Sequence, residues 1–409
     1  MSAGRPPALV PVEAHLAEAL AAIRPIQPVT VPLEAAEGGV LAADATAGTP
    51  LPPFDNSAMD GYAVRSGDLI AATEEDRVRL PVRGEIAAGD TRSYQVDEGS
   101  CLRIMTGALM PAGADAVVPV EWTDGGAAVA AFSRPVPVGN ALRHRGDDVA
   151  PGATLLTAGS QVNSVQIALL AATGHGAVLV HPRPRVAVVS TGNELAEPGA
   201  PLVPGRIWES NSFMLAAAAR AAGAVAQRRR LPDDPDAVLS TLEALLPEAD
   251  LLITSGGVSM GGEHDVVKAA LSKLGTVTFR KVAMQPGMPQ GFGTLGPDHT
   301  PLFTLPGNPV SAYVSFLLFV APALRKLQDL PAERQCLLTA ALTGPVRSPE
   351  GRRSYLRGVL DDARATVVPL TGQSSHQLGA LAQANALIIV PEQITRLEPG
   401  TGVDVMCLP

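Results

Sequence analysis

Hydrophobic positions change rhythm several times along this 409-residue chain. Near the N-terminus Leu16, Leu20 and Ile23 fall on one helical face, and Pro25, Pro28 and Pro32 then stop the helix. From about residue 48 to 146 the apolar runs shorten to strand length, as at 101–105 and 116–120, between Gly, Pro and Asp turns. This texture predicts a compact β-rich module. Residues 147–181 return to helix, with Asn163 or Ser164 as N-cap and Gly174 as stop, followed by a short strand at 178–180. If that segment packs with residues 7–47, the β-rich module is an insertion into one elongated helical–strand domain.

Residues 182–330 alternate strand and helix. Strands are expected at 186–189, 251–253 and 302–305. Helices are expected at 214–222 with Gly223 as C-cap, from Asp234-Pro235 onward, up to Leu274-Gly275, and after Pro309. The pattern predicts an open, doubly wound, parallel α/β sheet, whose ligands bind outside the carboxyl ends of the strands. Residues 331–409 read as short strands again, at Leu337–Leu342, 365–370, Ala386–Val390 and 403–407, in a small β-barrel or sandwich. The expected class is α/β multidomain, divided as 7–47 plus 147–181, 48–146, 182–330 and 331–409.

Composition narrows the function. Aromatics are only 3% of the chain against 46% hydrophobic residues, so Ala, Val and Leu must fill the core. A net charge of −9 argues against a broad nucleic-acid surface, and an anionic ligand would need local donors or a metal. Cys101, Cys336 and Cys407 form no CxxC pair, and the seven histidines form no HxxxH, so neither a disulfide framework nor a zinc-thiolate site is suggested. Glu13, His15 and Glu18 break up any signal-like N-terminal run. The most apolar segment, 310–324, is shorter than the roughly 18 residues of a membrane span and reads as a buried helix. The expectation is a cytoplasmic protein without a membrane span.

Three strand ends carry similar loops: Ser190-Thr191-Gly192-Asn193-Glu194, Thr254-Ser255-Gly256-Gly257 and Leu305-Pro306-Gly307-Asn308-Pro309. One such loop is ordinary turn chemistry. Three on successive core strands converge on one rim and offer hydroxyls, backbone N–H groups and a carboxylate. The glycine run continues through Ser259 toward Asp265, where a helical pattern starts, an arrangement suited to an oxyanion. Glu194 could hold magnesium beside a phosphate, or be a solvated surface acid. Asp265 also reads as an N-cap. Asp234 accounts for the next helix start by itself, which leaves Asp233 over. No Walker lysine, GxGxxG opening or GxSxG elbow is present, which disfavours a generic kinase, dehydrogenase or hydrolase. The β-rich module adds a dense polar segment at 54–63, a second at 103–107, and Arg143-His144-Arg145-Gly146-Asp147-Asp148. The last puts two guanidiniums within reach of an anion.

Together the segments PPFDNSAMDGYAVR, CLRIMTGA, RGDDVAPG, STGNEL, SGGVSMG and LPGNPVSA resemble the molybdopterin molybdenumtransferase family of MoeA type, also found as the E domain of gephyrin. The resemblance implies a four-domain homodimer with a MogA-like α/β domain. It implies insertion of molybdate into adenylylated molybdopterin (molybdopterin-AMP), with magnesium and release of AMP. It implies a site shared between the α/β domain of one subunit and the β-rich domain of the other, with the molybdopterin adenylyltransferase as a candidate partner. Matching positions are Asp60, Thr106 and Asp148, and Glu194, Asp233, Asp265, Pro306 and Pro309, with Glu194 and Asp265 as magnesium ligands. Arg143, Ser255, Gly256, Gly257, Ser259, Lys281, Gly307, Asn308 and Ser311 are the remaining candidates for substrate binding. The glycine loop would hold the pterin phosphate and the proline-framed loop would shape the molybdate pocket.

Two departures stand out. The family's Lys-Pro-Gly-Lys-Pro is here Gln285-Pro286-Gly287-Met288-Pro289, with Arg280 and Lys281 just upstream. One extra residue also separates Gly261 from Asp265. The lost lysines motivate the rival reading, a gephyrin-like dimeric scaffold with weak or no transferase activity.

Overall fold

A run apolar at every position can be a strand only if both its faces are covered. The apolar run at 186–189 meets that condition within a longer strand. In the computed structural model, which describes residues 9–256, 266–332 and 337–408, it is strand β1 (Arg185–Thr191) of a six-stranded sheet. The sheet's other strands are β2 (Val225–Leu231), β3 (Leu251–Ser255), β4 (Val277–Lys281), β5 (Pro289–Leu295) and β6 (Thr300–Leu305). Its order is β2-β1-β3-β6-β5-β4.

Side-chain alternation sorts the central strands between two cores. Val186, Val188, Leu251, Ile253, Phe303 and Leu305 face one, with helix α1 (Asn211–Ala221) and the long helix after Pro309. Ala187, Val189, Leu252 and Leu302 face the other, with α2 (Pro235–Leu245) and α3 (Val266–Ser272). Burying each Val or Leu fully is worth about 1.5–3 kcal/mol, so these two layers hold the sheet in register. Asp234 caps α2 by accepting from the N–H groups of Asp236 and Ala237, with Pro235 in the first helical position as expected.

Two features differ from a purely parallel sheet. The strands β2, β1, β3 and β6 are mutually parallel, but β5 pairs antiparallel with both β6 and β4. Only four residues, 296–299, join β5 to β6, too few for a parallel crossover. Strand β2 is at the edge and carries Arg228, Arg229 and Arg230, so its apolar pattern is too thin to read from sequence.

The helix Pro309–Leu327 is 19 residues long, and 72% of its most apolar stretch is buried inside the protein. Its length and composition would suit a membrane, but its packing is that of an all-round apolar core helix. The N-terminal helix (Val12–Ala22) lies on the same core through Val12 and Ala19.

The C-terminal strands Arg353–Asp361, Thr366–Pro369, Leu337–Leu342, Gly402–Cys407 and Ala386–Val390 pair in that order, and the last pairs back to the first, closing a five-stranded barrel. A Cβ at Gly358 would sit 2.8 Å from Val367 and 3.0 Å from Ile388, so glycine is needed where the walls approach.

The chain forms two compact units. The elements above belong to one, made of Met1–Val29, Gly38–Ala42 and Leu179–Pro409. The other, Thr30–Glu37 and Ala43–Val178, holds a five-stranded sheet ordered Ala116–Pro119, Gly61–Val64, Cys101–Ile104, Val78–Ile86, Val129–Phe132. Gly61 is obligatory there, because a Cβ would lie 2.0 Å from the Val118 carbonyl oxygen. Asn163 caps the helix Ser164–Ala172 with a full capping box to Gln166.

His15 is buried, its ring set edge-on to Phe319 at 4.7 Å, and its Nε2 has no hydrogen-bond partner among the described residues. Burial, with Arg280 nearby, pulls its pKa from 6.5 down to about 4. Between those values the unfolded chain binds a proton that the folded chain refuses. Stability is therefore lost as pH falls from 6.5 to 4, by about 3 kcal/mol in all. Replacing His15 with Phe is expected to flatten the denaturation midpoint over that pH range, measured by chemical unfolding.

Candidate functional site

The rim begins where the parallel strands end. At the end of β1, Asn193 and Asp233 clasp each other: the Asn193 N–H donates to Asp233 Oδ2 at 3.0 Å, and the Asp233 N–H to Asn193 Oδ1 at 3.3 Å. This ties the loops after β1 and β2 together. Gly256 follows β3 at φ +96°, and a Cβ there would lie 2.8 Å from the Thr191 carbonyl oxygen. Only glycine allows so close an approach at that backbone angle. Asn211, at the start of α1, donates to Ser255 Oγ at 2.9 Å and to the Gly307 carbonyl at 2.7 Å. One amide thus holds the loops after β3 and β6.

The barrel supplies the facing wall. Arg352 Nη1 donates to Gln285 Oε1 at 3.2 Å. Ser375 Oγ accepts from Asn308 Nδ2 at 2.8 Å, and the Ser375 carbonyl accepts from the Val310 N–H at 3.1 Å. Beneath the 285–289 loop, Gln290 Nε2 donates to the Gly287 carbonyl and to Ser315 Oγ, both at 2.6 Å.

These walls enclose a cavity of about 520 Å³, within the usual size for a small-molecule site. Glu194 and Asp233 line it from the loops after β1 and β2, Ser311 from the helix after β6, and Arg352 and Ser375 from the C-terminal segment. The hydroxyls of Ser190, Thr191, Thr254 and Thr304 near the strand ends are buried without a hydrogen-bond partner among the described residues. Such a concentration of unsatisfied polar atoms is unusual in a plain core.

In the second unit, Asp60 Oδ1 accepts from the Thr106 N–H at 2.7 Å and from Thr106 Oγ at 2.8 Å. These two donors, with Arg103 nearby, hold the Asp60 carboxyl below the usual carboxylate range, so it stays ionised. Asp55 Oδ1 accepts from the Arg145 N–H at 2.7 Å and anchors the loop that carries Arg143 and Asp148, both exposed.

Comparison with known proteins settles the family. Residues 10–174 match the model of the MoeA N-terminal region (domain I and II), 187–326 the probable molybdopterin binding domain, and 339–408 the MoeA C-terminal region (domain IV). Molybdopterin molybdenumtransferase 2 of Mycobacterium tuberculosis (strain ATCC 25618 / H37Rv) is 45% identical over 401 residues, covering 96% of this chain and 98% of that protein. The chain belongs to the MoeA family of molybdopterin molybdenumtransferases. Molybdopterin molybdenumtransferase 1 of the same strain is 38% identical over 419 residues, covering 97% of each chain. A crystal structure of a molybdopterin biosynthesis MoeA protein from Pyrococcus horikoshii superposes with a TM-score of 0.78 at 31% identity, covering 98% of this chain and 99% of that one.

Of the residues that the MoeA motifs single out, Glu194, Asp233, Gly256, Pro306, Gly307, Asn308 and Ser311 line the cavity. Ser255 is held to the Pro306 and Gly307 loop through its own hydroxyl and Asn211, and Pro309 opens the long helix. Lys281 ends β4 and is not among the cavity-lining residues; the cation that is among them is Arg352. Gly257, Ser259 and Asp265 lie outside the described residues.

Sequence reasoning missed Asn211, Arg352 and Ser375. Asn211 sits in a Ser-Asn-Ser helix start, where polar residues are routine caps. Arg352 sits in a Gly-Arg-Arg run that reads as solvated charge. Replacing Asn211 with Ala removes the part-buried hydrogen bond to Ser255 Oγ and the exposed one to the Gly307 carbonyl. The expected loss is about 0.5–1.5 kcal/mol in chemical denaturation.

Proposed function

We propose that this chain inserts molybdate into adenylylated molybdopterin and releases AMP and molybdenum cofactor. The observation that carries this reading is the mixed lining of one cavity: Glu194 and Asp233 come from the loops after β1 and β2, Ser311 from the helix after β6, and Arg352 and Ser375 from the C-terminal segment. The acids suit a metal-bridged phosphoanhydride, and the guanidinium with the two hydroxyls suits a tetrahedral oxyanion.

On the oxyanion side, Arg352 offers a planar fork of donors, with Ser311 and Ser375 as neutral donors beside it. Gln285 occupies one of the guanidinium's N–H groups and so fixes its orientation. Where the family pattern has two lysines, this wall has Gln285 and Met288. Each missing charge pair would be worth about 4 kcal/mol at 4 Å and an effective dielectric near 20. Saturation with molybdate therefore requires a higher concentration than a wall with both lysines would.

On the acid side, two carboxylates at one cavity edge fit magnesium, which takes hard oxygen ligands together with substrate phosphate. Glu194 and Asp233 would hold it, with Asp265 added by the family motif. When bound, the ion neutralises charge on the phosphoanhydride. The Asn193 N–H on Asp233 Oδ2 leaves that residue's other oxygen to face the cavity ligand.

The same reading makes the active form a cytoplasmic homodimer. The ionised Asp60, with Thr106, Arg143 and Asp148, would complete the site of a second copy. The division of the chain at 47, 146, 181 and 330 into four domains belongs to this reading, as does handover of substrate from the adenylyltransferase. The scaffold alternative draws on Gln285 and Met288 alone.

Purified chain given adenylylated molybdopterin, magnesium and molybdate is expected to release AMP in a molybdate-dependent way. Asp60→Ala should slow that release by about a hundredfold or more, and unchanged release would overturn the assignment. Asp60→Ala and Glu194→Ala chains, each inactive alone, should regain AMP release when co-expressed, because mixed dimers keep one intact shared site. Failure of that rescue would remove the shared-site arrangement.

A further inference from the structure

The unit that carries Asp60 has a hollow of its own, of about 370 Å³, lined by Met59, Pro119, Glu121, Trp122, Asn140 and Ala141. The hollow is tied to the corner that holds Asp60. The Ala58 N–H donates to the Ala141 carbonyl at 2.8 Å, and the Val120 N–H donates to the Asp60 carbonyl at 3.0 Å. Two lining side chains are large and apolar yet not packed away: Met59 is 42% exposed and Trp122 is half-buried. Trp122 is one of only two tryptophans in a chain with 3% aromatics. Its carbonyl accepts from Ser133 Oγ at 3.1 Å, and the Arg134 guanidinium lies 4.9 Å from its ring centroid. The indole is thus held in place without being fully buried. A tryptophan and a thioether lining one hollow suit the face of a flat ring.

The polar atoms narrow which ring. Glu121 is exposed and has no partner among the described residues. Asn140 Nδ2 donates to the Val117 carbonyl at 2.6 Å, while its Oδ1 has no partner among the described residues. The free groups at this hollow are therefore acceptors. An adenine edge presents an acceptor beside its amino group and would set a lone pair against a carboxylate. A pterin presents a ring N–H beside its 2-amino group, two parallel donors that match the two oxygens of a carboxylate.

We propose that this hollow seats the pterin ring of the substrate, with Trp122 and Met59 against its face and Glu121 on its 2-amino edge. This placement deepens the molybdenumtransferase reading given above and rests on it.

The test is equilibrium dialysis of the full chain against free pterin, followed by the pterin's own fluorescence, with folding checked by circular dichroism. Lumazine, which carries oxygen in place of the 2-amino group, and adenine are the comparison rings. The parent is expected to bind pterin about tenfold or more tightly than either. Trp122→Ala should weaken pterin binding by about tenfold to a hundredfold, and Trp122→Phe should recover most of the loss. Glu121→Gln replaces one acceptor with a donor and should erase the preference over adenine. Absence of pterin binding by the parent overturns the proposal, as does equal binding of the three rings. So does parent-like pterin binding by folded Trp122→Ala, or an unchanged preference in Glu121→Gln. With adenylylated molybdopterin as substrate, Trp122→Ala should raise KM by about tenfold or more. A parent that releases AMP, with KM unchanged in Trp122→Ala, sinks the pterin seat alone. A parent that shows the pterin preference but releases no AMP sinks the transferase reading and supports the seat.

Discussion

Everything at this site depends on the double burial of the central strands. Val186 to Val189 are apolar on both faces because helices cover both faces. That covering must stop where the strands stop, and there the backbone turns polar together. The register aligns Val189 with Thr254 and Thr254 with Thr304, so β1, β3 and β6 end at a common level. The rim is a consequence of packing, and the polar loops are what the chain can place where packing ends.

Holding such a rim takes cross-links between loops, since the loops have no core of their own. Three serve here: the Asn193–Asp233 clasp, the Asn211 bridge, and the Ser375 contacts to Asn308 and Val310. Each joins loops from different strands or different subdomains. None is visible as a pattern in sequence, because the partners lie 40, 96 and 67 residues apart. They explain why Asp233 was not needed as a helix cap yet is in place: its carboxylate works on the neighbouring loop.

The legible parts of the fold were those governed by local periodicity. Parallel core strands, the capped helices at Asn163 and Asp234, and the closing barrel all follow rules that act within a dozen residues. The strands at Val225–Leu231 and Arg353–Asp361 escaped because arginines interrupt their alternation, in one case at a sheet edge and in the other at the buried Arg357, on the strand face opposite the barrel core. The candidate site was legible where it coincides with strand ends, at Glu194, Gly256 and Pro306. It was illegible where the barrel contributes, because nothing in the order of residues tells that Arg352 and Ser375 return to the rim of a sheet that ends far upstream.

That division of labour has a chemical consequence. The α/β rim carries the acids Glu194 and Asp233, while the C-terminal segment carries Arg352 and Ser375. The loop bearing Gln285 and Met288 lies where the two meet, as the Gln285 contact to Arg352 shows. Substitutions in that loop change the surroundings of Arg352 and leave the Asn193–Asp233 clasp intact. A MoeA-type chain can therefore lose both lysines from one segment without disturbing the loops that carry Glu194 and Asp233. The guanidinium that lines the cavity then comes from the C-terminal segment, at Arg352.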